Sequence, residues 1–511
     1  MPHPAGTMRI VILAVSVLTA VGFRAAAAEV PAERAITLQE CVAMALEKNL
    51  DLRIERYNPQ LALFNLSAAR AGFEPVFSLS GERGHNESGS RVFSGGLTIP
   101  GSETDTRDIS GSLSGTTPWG MSYQLGTSAT EQYGRSFTVD TNNQLVANPF
   151  DNTSGSAGIS VTQPLLKNLW TDSTRLNIAL AKNTVKQTEL GLKSRLIQVV
   201  TQVELAYYDL EYGHAAVQVQ QKALELAQRL LEENRKRVEV GALAPLDEKQ
   251  SEAEVAARQA DLISAQRNLN VLENLLKQLI NDDFASWSSQ TLTPAGALTV
   301  ERELLNRQDS WQRGLTTRPD LLQAQLEVER EGLQLKFNRN QVFPQLDLVA
   351  SYGYNGSGQE FGNAYDEIRN TDRPYYSYGA VLSIPVGNGA ARNRYKAAKA
   401  SREQVLLSLK SLEQDIMVNI DNAIKLAQSN YERIEATRKA SEYAEAALAA
   451  EQKKLENGKS TSFFVLQLQR NLTSARSDEI SALVQYKRSL AQLAQAEGST
   501  LERRKIDLSA K

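Results

Sequence analysis

The chain has 511 residues but only one cysteine and three histidines. With Cys41 alone, no disulfide forms within one copy. His3, His85 and His214 lie too far apart for metal-ligand spacing. Charge of one sign is also lacking. The formal net charge is −3 and the isoelectric point about 5.9, so no polyelectrolyte footprint for nucleic acid exists and none is expected as a partner. Long hydrophobic runs are missing beyond the first thirty or so residues. A mean hydropathy of −0.35 excludes a polytopic helical membrane protein. No phosphate-cradling glycine-rich loop precedes a lysine–serine pair, and no nucleophile stands with a base. The chain is expected to be no enzyme: it offers no catalytic residue, no metal ligand set and no cofactor site. Energy for any transport must come from a partner.

What is present begins with a leader. Met8-Arg9 is a short basic stretch, Ile10 to Val21 is apolar, and Ala26-Ala27-Ala28 is a small-residue cleavage site. This pattern reads as a signal peptide over 1–28, with a mature chain from about Glu29. No cysteine follows the small-residue run, so no lipid anchor is expected. Cys41 falls within the amphipathic pattern from Leu38 to Glu47 and is expected as a small buried residue.

The chain then says the same thing twice. Asn49-Leu50-Asp51-Leu52 leads through a helical stretch to Phe73-Glu74-Pro75-Val76-Phe77. Arg318-Pro319-Asp320-Leu321 leads likewise to Phe343-Pro344-Gln345-Leu346. Asp51 to Pro75 and Asp320 to Pro344 are both 24 residues. Each copy continues to a second alternating segment ending at Pro164 or Pro385. A very long helical run follows, broken at Gly241 and at Gly458. Two copies of helix, strands, long helix, turn and helix point to internal duplication.

The helical runs keep a seven-residue period. Leu196, Val203, Leu210, Val217, Leu224, Leu231 and Val238 recur without a miss, shadowed by Val199, Ala206, Gly213, Gln220, Ala227 and Asn234. Ile420, Ala427, Ile434, Ser441, Leu448 and Leu455 repeat the spacing. Such a repeat holds one stripe toward partner helices. The small and polar second series suits helices packed into a wall. Glu232 to Arg237 reads as an exposed face with intrahelical ion pairs, and Asp282-Asp283 as a solvated cap.

Between the helices the period changes to two. Leu346, Leu348, Ala350, Tyr352 and Tyr354 alternate with Asp347, Val349, Ser351 and Gly353. Tyr378, Ala380, Leu382 and Ile384 form a second such face, and Met121, Tyr123 and Leu125 a third. Aromatics crowd the strand ends, and 84–107, 129–156 and 355–374 read as long polar loops. Apolar-out, polar-in strands with aromatic ends are the pattern of an outer-membrane barrel. A soluble sandwich alternates too, but the leader and the loops favour the barrel. One copy has too few strands to close a wide barrel, and open edges cannot face lipid. Several copies must then share one barrel. The rival reading is a secreted coiled-coil scaffold of the cell envelope without a pore, which leaves the tyrosine-rich strands unexplained.

Strands inserted into a duplicated long helical hairpin resemble the TolC-type outer-membrane efflux protein family. The resemblance rests on Thr37 to Asn49, on Arg318-Pro319-Asp320, and on the strand starts at Pro75 and Pro344. Ser383-Ile384-Pro385-Val386-Gly387-Asn388-Gly389 and the glycine tips Val240-Gly241 and Asn457-Gly458 complete it. It implies a mainly α fold with membrane β: a trimeric β-barrel of about twelve strands and a periplasmic α-helical coiled-coil barrel. The expected division is a signal peptide over 1–28, periplasmic helices over 29–72 and outer-membrane strands over 73–165. A helical hairpin over 166–281, a connector over 282–318 and a helix over 319–342 come next. Strands over 343–386, a second hairpin over 387–498 and a tail over 499–511 complete the chain.

The expected role is a passive exit duct of a tripartite efflux or type I secretion system. Its implied partners are two further copies, outer-membrane lipid, a periplasmic adaptor (membrane fusion protein) and an inner-membrane pump of RND, ABC or MFS type. By resemblance, Val240, Gly241, Ala242, Leu243, Asn457, Gly458, Lys459 and Ser460 are the adaptor-docking tips. Asp247, Phe463, Phe464 and Gln467 are expected at the entrance constriction, with one phenylalanine in the core. Ser460, Thr461 and Ser462 are expected as helix caps. One departure stands out. Pro75 to Pro164 spans 89 residues and Pro344 to Pro385 only 41. The surplus, with alternating segments near 109–114 and 119–128, reads as an elongated external hairpin or as two more barrel strands. The hairpin is the preferred expectation.

Overall fold

The computed structural model describes residues 33–92, 96–141, 144–296 and 299–506. The expected leader and residues 507–511 of the expected tail lie outside this set. The elements follow one another as β1 (Glu33–Ile36), α1 (Leu38–Lys48), α2 (Leu50–Glu55), α3 (Tyr57–Arg70), β2 (Val76–Glu87), β3 (Arg91–Val92), β4 (Thr98–Ile99), β5 (Glu103–Thr116), β6 (Ser122–Val139) and β7 (Leu145–Pro164). Then come α4 (Ser173–Glu239), α5 (Pro245–Ile280), β8 (Thr291–Pro294), α6 (Arg307–Thr317), α7 (Pro319–Asn340), β9 (Gln345–Gly358), α8 (Phe361–Asn370), β10 (Pro374–Ser383), α9 (Gly389–Glu456), α10 (Ser462–Glu497) and α11 (Thr500–Arg503).

Helices α4 and α9 run unbroken for 67 and 68 residues. At ~1.5 Å per residue each is a rod of about 100 Å. No proline falls between Pro164 and Pro245, and none follows Pro385, so nothing interrupts the backbone ladder of either rod. Asp172 starts α4 by accepting from the Arg175 amide at 2.9 Å. Pro245 and Pro319 occupy the first turns of α5 and α7, where a missing N–H costs nothing. The seven-residue stripe faces inward: Leu196, Val203, Leu210 and Leu224 are buried, as are Val199, Ala206 and Ala227. A Cβ at Gly213 would sit 3.0 Å from Leu269, so glycine lets α4 and α5 close together.

Three cores string along the rods. The largest surrounds Cys41, Leu52, Leu210, Leu276, Ile280 and Leu292, beside the parallel pair β1–β8. Each fully buried leucine there contributes about 1.5–3 kcal/mol. Cys41 is buried as expected. A second core joins Leu321, Ile416, Ile420 and Leu493. A third, near the tips, joins Leu230, Leu448, Leu455, Val465 and Leu472. Asp282 and Asp283 are exposed just past the end of α5 as expected, and the Asp282 carboxylate also meets the exposed Arg53 at 3.1 Å.

At the other end of the rods lies one antiparallel sheet of six strands, in the order β10-β9-β7-β6-β5-β2. The preferred expectation of an elongated hairpin outside the sheet is thus corrected: the surplus residues build β5 and β6, paired along their length within it. The segments read as long loops are also largely strand. β2 runs to Glu87, β5 starts at Glu103, and β6 and β7 pair out to Val139 and Leu145. The outer stretches of β2 and β5 are polar on both faces and carry no alternation of hydrophobicity, whereas on β6 Tyr133, Phe137 and Val139 alternate with Gly134, Ser136 and Thr138, a signal that sequence reading passed over. The loop over 355–374 contains α8, whose Ala364 packs over Gly356 of β9.

Candidate functional site

Two features qualify as functional: the faces of the sheet and the tips of the hairpins. In the sheet, register sorts residues by chemistry. One cross-strand row reads Phe77, Leu113, Leu125, Ile159, Tyr352 and Tyr376, one residue from each of the six strands. The next row on that face is Leu79, Gly111, Thr127, Ala157, Tyr354 and Pro374. The opposite face carries Val76, Ser114, Gln124, Ser160, Ser351 and Ser377 in one row. Serine pairs bridge its strands, Ser80 with Ser110 at 2.7 Å, Ser128 with Ser156 at 2.9 Å and Ser351 with Ser377 at 2.7 Å. Among the described residues the apolar row lies open, with Phe77 69% exposed and Tyr376 73%, and α8 packs only further out on this face, over Gly155 and Gly356. An uncovered apolar face backed by a polar one is the division of a membrane barrel wall.

Beyond the apolar rows the first face turns polar. Arg107 reaches Glu131 at 3.0 Å and lies over the Tyr133 ring. His85, read from sequence as an isolated loop residue, stands in β2 with its Nδ1 3.2 Å from Asp105, beside Glu103. These three sit on the open rim of the sheet.

The tips end both rods in the same way. Gly241 has φ +73° and Gly458 φ +71°. The Gly241 and Ala242 amides donate to the Val238 and Arg237 carbonyls, and the Gly458 and Lys459 amides to those of Leu455 and Lys454. This paired bonding closes a helix through a left-handed glycine. Val240 is 78% exposed, and Gly241, Ala242, Asn457, Gly458 and Lys459 are exposed with it, while Leu243 and Ser460 are half-buried.

Some expectations at the tips are corrected. Ser460, Thr461 and Ser462 do not cap α10: the Thr461 side chain makes no cap bond, the Ser460 hydroxyl donates to Glu451 at 2.5 Å and Ser462 to Asn234 at 3.0 Å. Partners in other helices capture both serine hydroxyls. Neither Phe463 nor Phe464 is core. Both are 55% exposed with rings edge to face at 5.7 Å, because Ser462, Val465 and Leu466 take the inward positions. Gln467 is exposed and Asp247 half-buried. Arg235 and Arg237 do not pair within α4. Arg235 reaches Glu248 of α5 at 3.0 Å, which holds its guanidinium above the ordinary range, and Arg237 donates to the Leu455 carbonyl of α9 at 3.2 Å.

Sequence reading missed the residues that join the hairpins. Asn234, fully buried, donates to Ser251 of α5 at 2.8 Å and accepts from Ser462 of α10. Higher up, Glu254 of α5 is buried and meets Arg470 of α10 at 2.6 Å, with Arg258 of its own helix 3.0 Å away. The hydrogen bond to Glu254 raises Arg470 above its usual range. The signal for Asn234 was available: an asparagine at a core position of a heptad series specifies a partner.

Long helical hairpins that carry a sheet with one apolar face are the parts that a duct anchored in a membrane needs. The chain belongs to the Outer membrane efflux protein family, matching it over residues 121–282 and 311–499, the two halves of the duplication. It is 24% identical over 369 residues to Outer membrane protein TolC of Vibrio cholerae serotype O1, covering 70% of this chain and 79% of that one. Nodulation protein T of Rhizobium leguminosarum bv. trifolii is 20% identical over 341 residues, 63% of this chain and 69% of that one. Among solved structures, the Campylobacter jejuni CmeC outer membrane channel superposes with a TM-score of 0.65 at 13% identity, over 93% of this chain and 90% of that one. The outer membrane protein VceC from Vibrio cholerae gives 0.63 at 16% identity, over 90% and 96%. The protein is an outer-membrane exit duct, a channel and not an enzyme.

Proposed function

We propose that three copies form one passive conduit, with the sheets in the outer membrane and the helical hairpins reaching across the periplasm. The tips, Val240 to Leu243 and Asn457 to Ser460, receive a periplasmic adaptor, which connects the duct to an inner-membrane pump of RND, ABC or MFS type. The cargo leaves by a tripartite efflux or type I secretion route. The observation that carries this reading is the matched pair of glycine-closed tips. They are solvent-facing, side by side, and about 100 Å from the sheet by helix rise. In this reading Asp247, Phe463, Phe464 and Gln467 surround the closed mouth. The two exposed rings make its constriction largely apolar, and an apolar constriction gates by dewetting.

A photo-reactive side chain at Val240 or at Lys459, activated in living cells, tests the reading. Capture of a periplasmic adaptor supports it. Capture of none, in cells where the duct is working, sinks the docking role of the tips.

A further inference from the structure

We infer that the membrane part of this duct is a barrel of eighteen strands, six from each of three copies, in place of the twelve that family resemblance implies. The count of three rests on the trimeric reading above. The count of six rests on the sheet.

Strands β5 and β6 cross its whole height. Their connecting turn at residues 117–121 lies at the helical end of the sheet, where Arg175 of the first turn of α4 donates to the Pro118 carbonyl at 3.0 Å. Gly120, at φ +92°, packs in the same place against Asn168. From there β5 and β6 pair with each other and with their neighbours past the apolar rows and out to the polar rim. They also carry the same facial chemistry as the rest. Leu113 and Leu125 continue the apolar row between Phe77 and Ile159, while Ser114 and Gln124 continue the polar one. On β9 the apolar series from Leu346 to Tyr354 covers about 26 Å of strand at ~3.3 Å per residue, which fits a tilted membrane strand. A hairpin standing outside the membrane would have no use for leucines in that row.

The sheet's free edges are β2 and β10. With six alternating strands, these edges run in opposite directions. The β10 edge of one copy therefore meets the β2 edge of the next as an antiparallel pair, and three copies close without an unpaired edge. Barrel diameter grows roughly linearly with strand number, and eighteen strands fall in the range that leaves an aqueous channel. The bore is about 1.5-fold that of twelve strands. Its lining keeps that width clear, because serines dominate it. Tyr375, a large ring on that face, lies flat on Gly158 and Gly353, where any Cβ would clash with it. The inferred class of cargo is bulky.

The test is a small fluorophore on Leu113→Cys or Leu125→Cys, with Ile159→Cys as reference, in the reconstituted full-length protein. Quenching by doxyl-labelled lipid, equal at all three positions and insensitive to aqueous iodide, is the expected result. Iodide quenching at 113 and 125 but not at 159 places β5 and β6 in water and overturns the inference. Native mass measurement on the same sample separates the two readings. Three copies with lipid quenching give eighteen strands. Any other copy number overturns the trimer, and the total with it, while lipid quenching would still hold six strands in each chain. The unsubstituted protein gives an independent check. In electron-microscope projection its barrel should be about 1.5-fold wider than a twelve-stranded reference, and equal widths overturn the inference.

Discussion

The Ser462 hydroxyl of one hairpin donates a 3.0 Å hydrogen bond to the Asn234 side chain of the other, in a setting closed to water. Ser251 keeps a second bond, to the Asp247 carbonyl at 2.9 Å, but Ser462 has Asn234 as its side-chain acceptor. Asn234→Ala should therefore cost about 1–3 kcal/mol, the usual penalty for a buried polar group left without a partner. A double-mutant cycle with Ser462→Ala should return a coupling of about 0.5–3 kcal/mol. Hydrogen exchange should accelerate near the tips and stay unchanged around Leu276. Uniform acceleration along both rods would contradict a local clasp.

Phe464 is exposed in the single chain beside Phe463. If the pair lines the mouth, Phe464→Ala should raise single-channel conductance of the reconstituted duct several-fold, with little change in stability since no core packing is lost. Unchanged conductance would remove the phenylalanines from the gate.

Gly241 needs its left-handed backbone and nothing else, for a Cβ there would meet no atom within 4 Å. Gly241→Ala should cost about 1–2 kcal/mol through backbone strain alone. Gly241→Asn should cost less, because asparagine tolerates that region. Denaturation midpoints of the two variants check the order, and adaptor crosslinking at Val240 should fall in the same order. A larger loss for Gly241→Asn would point instead to a tip that tolerates no side chain.

Burial pushes the Cys41 thiol from 9.0 up to about 12. A folded value above the unfolded one means this group's stabilising contribution is complete below pH 9.0 and is lost as pH climbs toward about 12. The stability of the wild-type protein should therefore decline over that window more steeply than that of Cys41→Ala. At pH 8 the native thiol should resist alkylation and react only after unfolding. Rapid alkylation of the folded protein would show that the first core opens.

Much of this architecture was legible before the fold was seen. The seven-residue repeat from Leu196 to Val238 announced the long rods, and the glycines at 241 and 458 announced their ends. Both signals are local: a heptad needs only its own helix, and a glycine stop only the last turn. What escaped was non-local. The alternation near 109–114 is short and serine-rich. Its weight becomes clear only when Leu113 is seen between Phe77 and Leu125 in one row across three strands. The outer parts of β2 and β5, polar on both faces, gave period-2 reading nothing to detect, whereas Tyr133, Phe137 and Val139 of β6 formed an alternation that went unread. At the tips, Ser462 looked like a cap because caps are judged by sequence position, whereas its partner Asn234 lies 228 residues away.

The two halves of the chain remain alike where they end in glycine turns and differ where they form the sheet. An inserted β-hairpin returns the chain to the side it left, so lengthening one half by a strand pair disturbs neither rod. The width of the sheet and the form of the tips are thus free to evolve separately. In a threefold assembly such growth is quantised: one added hairpin per copy means six more staves at once, and no intermediate width is available.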